Sequence, residues 1–294
     1  MPALLKPAGR IGRDLRRPEC VLVAADGTVF VSDARGGVTR IDAMDRCTHL
    51  PCPGGATNGV AQRRDGTLIL AGIDSGTVHA LRPDGSSMPL IDRFDGEPLG
   101  AVNFPYCDPR GDLWLTVSTR TVPRSRAIDA PIPDGYVLSL RADGPRLMAQ
   151  GLCFANELRI DPPMRWAYLA ESARGRVVRM AIGADGTLGP AMPFGPDPLF
   201  ANAIVDGLAW DVEGGLWVTE VTRNALYRIA PDGIAQCLYE DPDASLLDFP
   251  ASIAFGGPNR RTLYVGSIRM DHVLRFRSPV AGAPMWHHRR DGRR

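Results

Sequence analysis

A short apolar run, a turn carrying glycine, and a second apolar run recur along the whole chain. The copies read ECVLVAADGTVFVSD, NGVAQRRDGTLILAG, NFPYCDPRGDLWLTV, NELRIDPPMRWAYLAES, DGLAWDVEGGLWVTE and SIAFGGPNRRTLYVGS. They begin at Glu19, Asn58, Asn103, Asn156, Asp206 and Ser252, and in four of them a glycine follows eight residues later (Gly27, Gly66, Gly111, Gly214). Each second run leads to a third segment: GVTRID, TVHALR, GYVLSL, RVVRMAI, ALYRIA and HVLRFR. These alternate apolar and polar residues, the period of a strand with one buried face. A weaker fourth segment, such as SSMPLID or IAQCLYE, is found in five copies. Asp-Gly turns at 84–85, 143–144, 185–186 and 232–233 suit hairpins that need positive φ. No segment shows a 3.6-residue period with caps, so little helix is expected.

Four short strands per unit and six units predict an all-β fold, a six-bladed β-propeller forming one domain over residues 1–294. A linear solenoid would need polar capping repeats at its ends, and none is visible. The sixth copy lacks a fourth strand, so part of residues 1–17 is expected to supply it and close the ring. An insertion in the third copy, STRTVPRSRAIDAPIPDG (118–135), is expected to overhang a ligand site like a lid. Residues 280–294, ending MWHHRRDGRR, read as a flexible basic tail. Trp114, Trp166 and Trp217 fall in second strands, at positions suited to packing between blades.

Composition narrows the chemistry. A formal net charge of +1 points to neither nucleic acid nor an anionic membrane as partner, and no run approaches a membrane span. The partner expected is a small-molecule substrate, the assembly a monomer or weak homo-oligomer, and the location cytoplasmic, since the first residues lack a signal-peptide core. The one lysine, Lys6, sits near the terminus, which argues against Schiff-base chemistry. The six cysteines (Cys20, Cys47, Cys52, Cys107, Cys153, Cys237) include no CxxC pair and read as buried or idle thiols. There is no G-x-S-x-G motif and no glycine-rich phosphate loop. His79 and His272 fall in third strands, away from any inner ring, and His287 and His288 in the tail.

In a propeller the first strand of each blade is innermost, so the six anchors converge on the central channel. Glu, Asn, Asn, Asn, Asp and Ser all offer oxygen, and two are anionic. Any one of them is as readily a turn cap, but two carboxylates in a narrow channel need a cation to offset their repulsion. A hard divalent cation suits such oxygens, Ca2+ best, with Mn2+ or Mg2+ as alternatives. Zn2+, a further alternative, would favour His or Cys, which the anchors lack.

The chain resembles the SMP-30/gluconolactonase/luciferin-regenerating-enzyme family of six-bladed propellers, from PEC at 18–20 to RTLYVGS at 261–267. The resemblance implies one divalent metal held by Glu19 (in RRPEC), Asn156 (in CFANELRID) and Asp206 (in VDGLAWDVEGG). Asn103, in AVNFPYCD, matches an Asn that touches substrate or joins the metal shell. The activity implied is lactone hydrolysis, the metal acting as Lewis acid on the carbonyl and a carboxylate taking a proton from the attacking water. Asp206 is the candidate base as well as a ligand, and Asn103 the residue orienting substrate. Alternatives are a phosphotriesterase or esterase, a non-hydrolytic metal-assisted enzyme on a biosynthetic intermediate, or a binding propeller without catalysis. Sugar lactonases of the family often carry Arg two residues before the substrate Asn and Asp after it; here Ala101 and Phe104 stand there. The expected substrate contacts are therefore Asn103, Phe104, Tyr106 and Arg120, in a less polar mouth. Arg120, Arg124 and Arg126 of the insertion are available for an anion, or equally form a solvated face.

Overall fold

The computed structural model describes residues 5–288. Six four-stranded antiparallel sheets stand around a common axis, with the first strand of each innermost and touching its neighbours on both sides. Blade one comprises Val21–Val23, Val29–Ser32, Val38–Ile41 and Cys47–Leu50. The inner strands of blades two to six are Thr57–Gln62, Val102–Cys107, Ala155–Ile160, Val205–Trp210 and Pro250–Gly256. Alternation puts one face of every inner and second strand against the next blade, which is why second strands such as Leu68–Gly72 and Leu216–Glu220 are buried throughout. Helix is confined, among the described residues, to one four-residue α-turn at Arg126–Asp129 and two three-residue 3-10 turns. No described helix is long and apolar enough to cross a membrane.

The turns between first and second strands are organised by buried aspartates. Asp108 Oδ1 accepts from the backbone N–H of Arg110 and Asp112, while its Oδ2 accepts from Trp114 Nε1 at 3.1 Å. Asp211 repeats this with Glu213, Gly215 and Trp217 Nε1 at 2.8 Å. The indole of Trp217 then meets Phe255 of blade six edge to face, with centroids 5.2 Å apart. One carboxylate thus closes a turn and aims a tryptophan into the seam between blades.

Lys6–Ile11 pairs antiparallel with Val273–Arg277 and forms the outer strand of blade six, so the first and last parts of the described chain share a sheet. Leu5, fully buried, is tied by its N–H to the Leu238 carbonyl of blade five. At the other end of the chain, residues 281–288 fold back beneath the blades instead of hanging free. Ala283 N–H donates to the Trp210 carbonyl, and the His287 and His288 rings both donate from Nε2 to the Val23 carbonyl, at 3.0 and 2.7 Å. Apolar residues (Met285, and Trp286 under Arg64) hold down a segment whose charge had suggested solvent. The remaining tail, 289–294, lies outside the described residues.

Leu5→Ala removes a fully buried side chain at the ring closure, and is expected to cost about 2–5 kcal/mol. A shift in urea midpoint with unchanged slope would register it; an unaltered midpoint would show that the closure bears no stability.

Candidate active site at the channel mouth

Five of the six inner strands carry a one-residue bulge at or beside the anchor. Val102 pairs with Val117 but Phe104 with Thr116, leaving Asn103 as the extra residue. The same slip falls at Asn58–Gly59, Asn156–Glu157, Asp206–Gly207 and Ala251. A bulge bends the strand and re-aims a side chain, here at the end where the channel opens. Gly59 and Gly207 are glycine because the next blade's backbone passes there: an added Cβ would lie 2.5 Å from the Asn103 carbonyl oxygen or 2.6 Å from Ser252 Cα.

Behind the anchors runs a relay of hydroxyls from the ends of second strands. Asn103 Nδ2 donates to Ser118 Oγ at 3.0 Å, and Ser118 Oγ donates to the Ala155 carbonyl, just before the next anchor. Asn156 Nδ2 donates to Ser172 Oγ at 3.1 Å, which donates to the Val205 carbonyl before Asp206. Thr219 Oγ1 accepts from Gly207 N–H and donates to the Ala251 carbonyl before Ser252. Each hydroxyl therefore locks one anchor to the strand that carries the next. Sequence reasoning missed these residues, although a Ser or Thr recurs 13 to 16 residues after five of the six anchors: Ser32, Ser118, Ser172, Thr219 and Ser267.

All six anchors are buried. Glu19 and Asp206 feel each other's charge, and burial followed by repulsion from Glu19 and Glu157 raises the Asp206 pKa well above the usual carboxylate range. The charge of Arg17, and then the neighbouring Asn156 amide, oppose that rise. Glu19 is also raised, because desolvation outweighs the attraction of Arg17, whose Nη2 lies 2.5 Å from Glu19 Oε2. That contact lacks the angle of a hydrogen bond, and Glu19 Oε2 is left without a hydrogen-bond partner. Arg17 Nη2 also donates to Asn58 Oδ1 at 3.2 Å, and Asn58 Nδ2 to Asn103 Oδ1 at 3.2 Å. The chain Glu19–Arg17–Asn58–Asn103 thus joins three blades at the mouth.

Two charged residues here escaped the sequence reading. Arg17 precedes the repeat and has no counterpart in other copies. Glu157 sits beside an anchor, in the place glycine takes in blades two and five, where its Oε2 accepts from Leu208 N–H at 3.0 Å and pairs with Arg159 at 2.7 Å. Burial raises the Glu157 pKa and Arg159 lowers it.

The structure separates the remaining expected contacts. Phe104 and Tyr106 face the channel below the anchors, in an apolar cavity shared with Val23, Arg159, Phe255 and Met285. The strand runs away from the mouth at about 3.3 Å per residue, so they lie deeper than Asn103. Arg159 stacks over Phe104 at 4.6 Å. Arg120 is exposed and lies over the Tyr136 ring at 4.8 Å, beside the hairpin of Arg93–Phe94 and Glu97–Pro98. The insertion's arginine that approaches the carboxylates is Arg124, close enough to Glu19 and Arg17 for each charge to act on it, and ion-paired with Asp74. The Asp134 carboxylate pins the insertion's base through Thr119 Oγ1 and the N–H groups of Arg120 and Thr121.

Among the described residues no group of three or more His, Cys, Asp or Glu side chains is disposed to hold a metal ion. The mouth instead offers a mixed oxygen set, two carboxylates and neighbouring amides, that a hard cation fits. Glu19 Oε2 has an ion pair with Arg17 but no hydrogen bond, and the Glu19–Asp206 repulsion is only partly relieved by Arg17; these are the observations that favour it.

A propeller whose channel mouth gathers carboxylates and amides from separate blades is the class that fold and site define together. The chain belongs to the SMP-30/Gluconolactonase/LRE-like region family, whose model matches residues 17–269. A 6-deoxy-6-sulfogluconolactonase from Pseudomonas putida is 27% identical over 183 residues, 61% of this chain and 60% of that protein. Among solved structures, a calcium-binding regucalcin from Agrobacterium tumefaciens superposes with TM-score 0.77 at 19% identity, covering 95% of this chain and 96% of that one. A gluconolactonase from Xanthomonas campestris gives TM-score 0.74 at 19% identity, covering 91% and 88%.

Neutralising one carboxylate should relieve the mouth. In EDTA, Asp206→Asn is expected to melt several degrees above the unaltered protein. A carboxyl whose folded pKa is raised contributes stability at acid pH and loses it as pH climbs through that pKa. The gap in melting temperature should therefore be small near pH 5 and widen towards pH 8; a gap that is constant or reversed would show that the repulsion is absent.

Proposed function

We propose that the protein is a metal-dependent lactonase, opening a small lactone to the hydroxy acid at the channel mouth. The observation that carries this reading is the pairing of two buried, mutually repelling carboxylates, Glu19 and Asp206, with the Asn156 amide beside Asp206 and Asn103 linked to Glu19 through Asn58 and Arg17. A site so costly when empty of cations is a functional one, since side chains that only packed a channel would be apolar. The names of the relatives, lactonases among them, support the same chemistry.

Glu19, Asn156 and Asp206 would hold the cation, Ca2+ by preference for carboxylate and amide oxygens in a flexible sphere. Bound there, it would supply Lewis acidity to the lactone carbonyl and offset the charge that develops on its oxygen. Asn103 orients the substrate: one Nδ2 hydrogen is committed to Ser118 and one Oδ1 lone pair to Asn58, leaving one of each for the ligand. An Asp206 oxygen accepts a proton as a water oxygen bonds to the carbonyl carbon. The carbon–ring oxygen bond then breaks, the proton passes to the departing alkoxide, and the hydroxy acid results. The insertion at 118–135 helps to keep bulk water from the mouth.

A panel of lactones assayed with EDTA-treated protein, then with Ca2+ or Mn2+ restored, tests the reading. Turnover should vanish with EDTA and return with metal. Asp206→Ala should lose roughly 100- to 10,000-fold in kcat and bind Ca2+ more weakly, whereas Asn103→Ala should lose turnover while retaining Ca2+ by calorimetry. Failure to open any lactone with any metal would refute the proposal, as would full activity of Asp206→Ala at saturating metal.

A further inference from the structure

We propose that the substrate carries a fixed negative charge, a carboxylate, sulfonate or phosphate, and that Arg17 with Arg124 recognises it at the channel mouth. The inference rests on the lactonase reading above and names the substrate class of that site. Its ground is the charge arrangement around the anchors. Glu157 is matched by Arg159 deeper in the channel in a buried pair, whereas Arg124 has only the exposed Asp74 on the rim, a pair that solvent screens. Glu19 and Asp206 are matched by a divalent cation when one is bound. That leaves Arg17 as the one guanidinium at the anchors whose carboxylate partner, Glu19, is claimed by another cation.

Geometry places Arg17 for this role. Residues 17–19 lead into blade one, with Arg17 in the left-handed region at φ 55° and its side chain turned to the mouth and partly exposed. Its Nη2 reaches Asn58 Oδ1, and Asn58 in turn holds Asn103, so the same amides position both the guanidinium and the substrate-orienting residue. A planar guanidinium offers five N–H donors in a fork that fits a carboxylate, sulfonate or phosphate. Arg124, half-buried on the insertion and ion-paired with Asp74, lies near enough for its charge to act on Arg17 and Glu19. Two guanidinium charges on the same side of the molecule favour an anion near them. In the metal-free protein Arg17 instead neutralises Glu19, so the cation and Arg17 compete for one carboxylate.

The test compares an uncharged δ-lactone with the same lactone bearing a carboxylate, a sulfonate or a phosphate. The charged substrates should have the higher kcat/KM in the unaltered enzyme. Arg17→Gln and Arg124→Gln should each lower the ratio of charged to neutral kcat/KM by roughly 10- to 100-fold, the size of a lost charge-assisted hydrogen bond. Arg17→Lys keeps the charge and loses the fork, so its ratio should fall by less. Two equilibrium readouts stand apart from turnover. Calorimetry should show Arg17→Gln binding Ca2+ more tightly than the unaltered protein, because a competitor is gone. A non-hydrolysable lactam bearing the carboxylate should bind the Ca2+-loaded protein and lose affinity in both Gln variants. Equal kcat/KM for charged and neutral lactones, with no change of ratio in Arg17→Gln, would overturn the inference and leave the lactonase reading intact. If no lactone is opened, the lactam still decides: its failure to bind the Ca2+-loaded protein, or to lose affinity in Arg17→Gln, overturns anion recognition independently.

Discussion

Three carboxylates share one channel, and the molecule is arranged around the cost of keeping them there. Taking a carboxylate out of water is expensive unless a counter-charge or several donors accompany it. Each of the three is treated differently. Glu157 receives a guanidinium and a backbone N–H and behaves as a structural ion pair. Glu19 receives a guanidinium that satisfies it only in part. Asp206 receives two repelling neighbours, offset only in part by the charge of Arg17 and by an amide. The gradient from matched to unmatched runs from the depth of the channel to its mouth, and chemistry is expected at the unmatched end.

Repelling groups would drift apart if the walls yielded, so the walls must be stiff. The hydroxyl relay supplies that stiffness by joining each anchor to the strand of the next blade. Ser118, Ser172 and Thr219 do this from the ends of second strands, which are themselves among the most deeply buried elements. Blade packing of the kind seen between Trp217 and Phe255 resists radial movement, and the pairing of Lys6–Ile11 with Val273–Arg277 leaves blade six no open outer edge on its third strand. Local hydrogen bonds set direction while hydrophobic seams set distance.

Much of this was legible in the chain because a propeller writes its architecture locally. Strand alternation and turn glycines act over fewer than ten residues, and their repetition reveals six blades and six anchors. The anchors were readable as a set since Glu19, Asn58, Asn103, Asn156, Asp206 and Ser252 occupy the same place in the six copies, and the family resemblance then singled out Glu19, Asn156 and Asp206. Arg17 was illegible because it precedes the repeat and reaches the site only through a left-handed turn. Glu157 was hidden by its bulge, which lets two adjacent residues serve the channel where alternation would admit one. Phe104 and Tyr106 were placed at the mouth because sequence neighbours of Asn103 seemed spatial neighbours, yet a strand carries them below it. The segment 281–288 looked like solvated tail from its charge; its His rings instead find the Val23 carbonyl, and burial with the adjacent His288 pushes the His287 pKa down to about 4.

The bulges have a consequence for how such a molecule changes over time. In an unbroken strand, parity ties the facing of every residue to every other, so altering what points into the channel disturbs what packs between blades. An extra residue at Asn103, at Asn156–Glu157 and at Asp206–Gly207 resets that parity at the boundary between mouth and core. The reacting end and the packed end of each strand are then independent alphabets. New substrates can be tried at the first without rewriting the second.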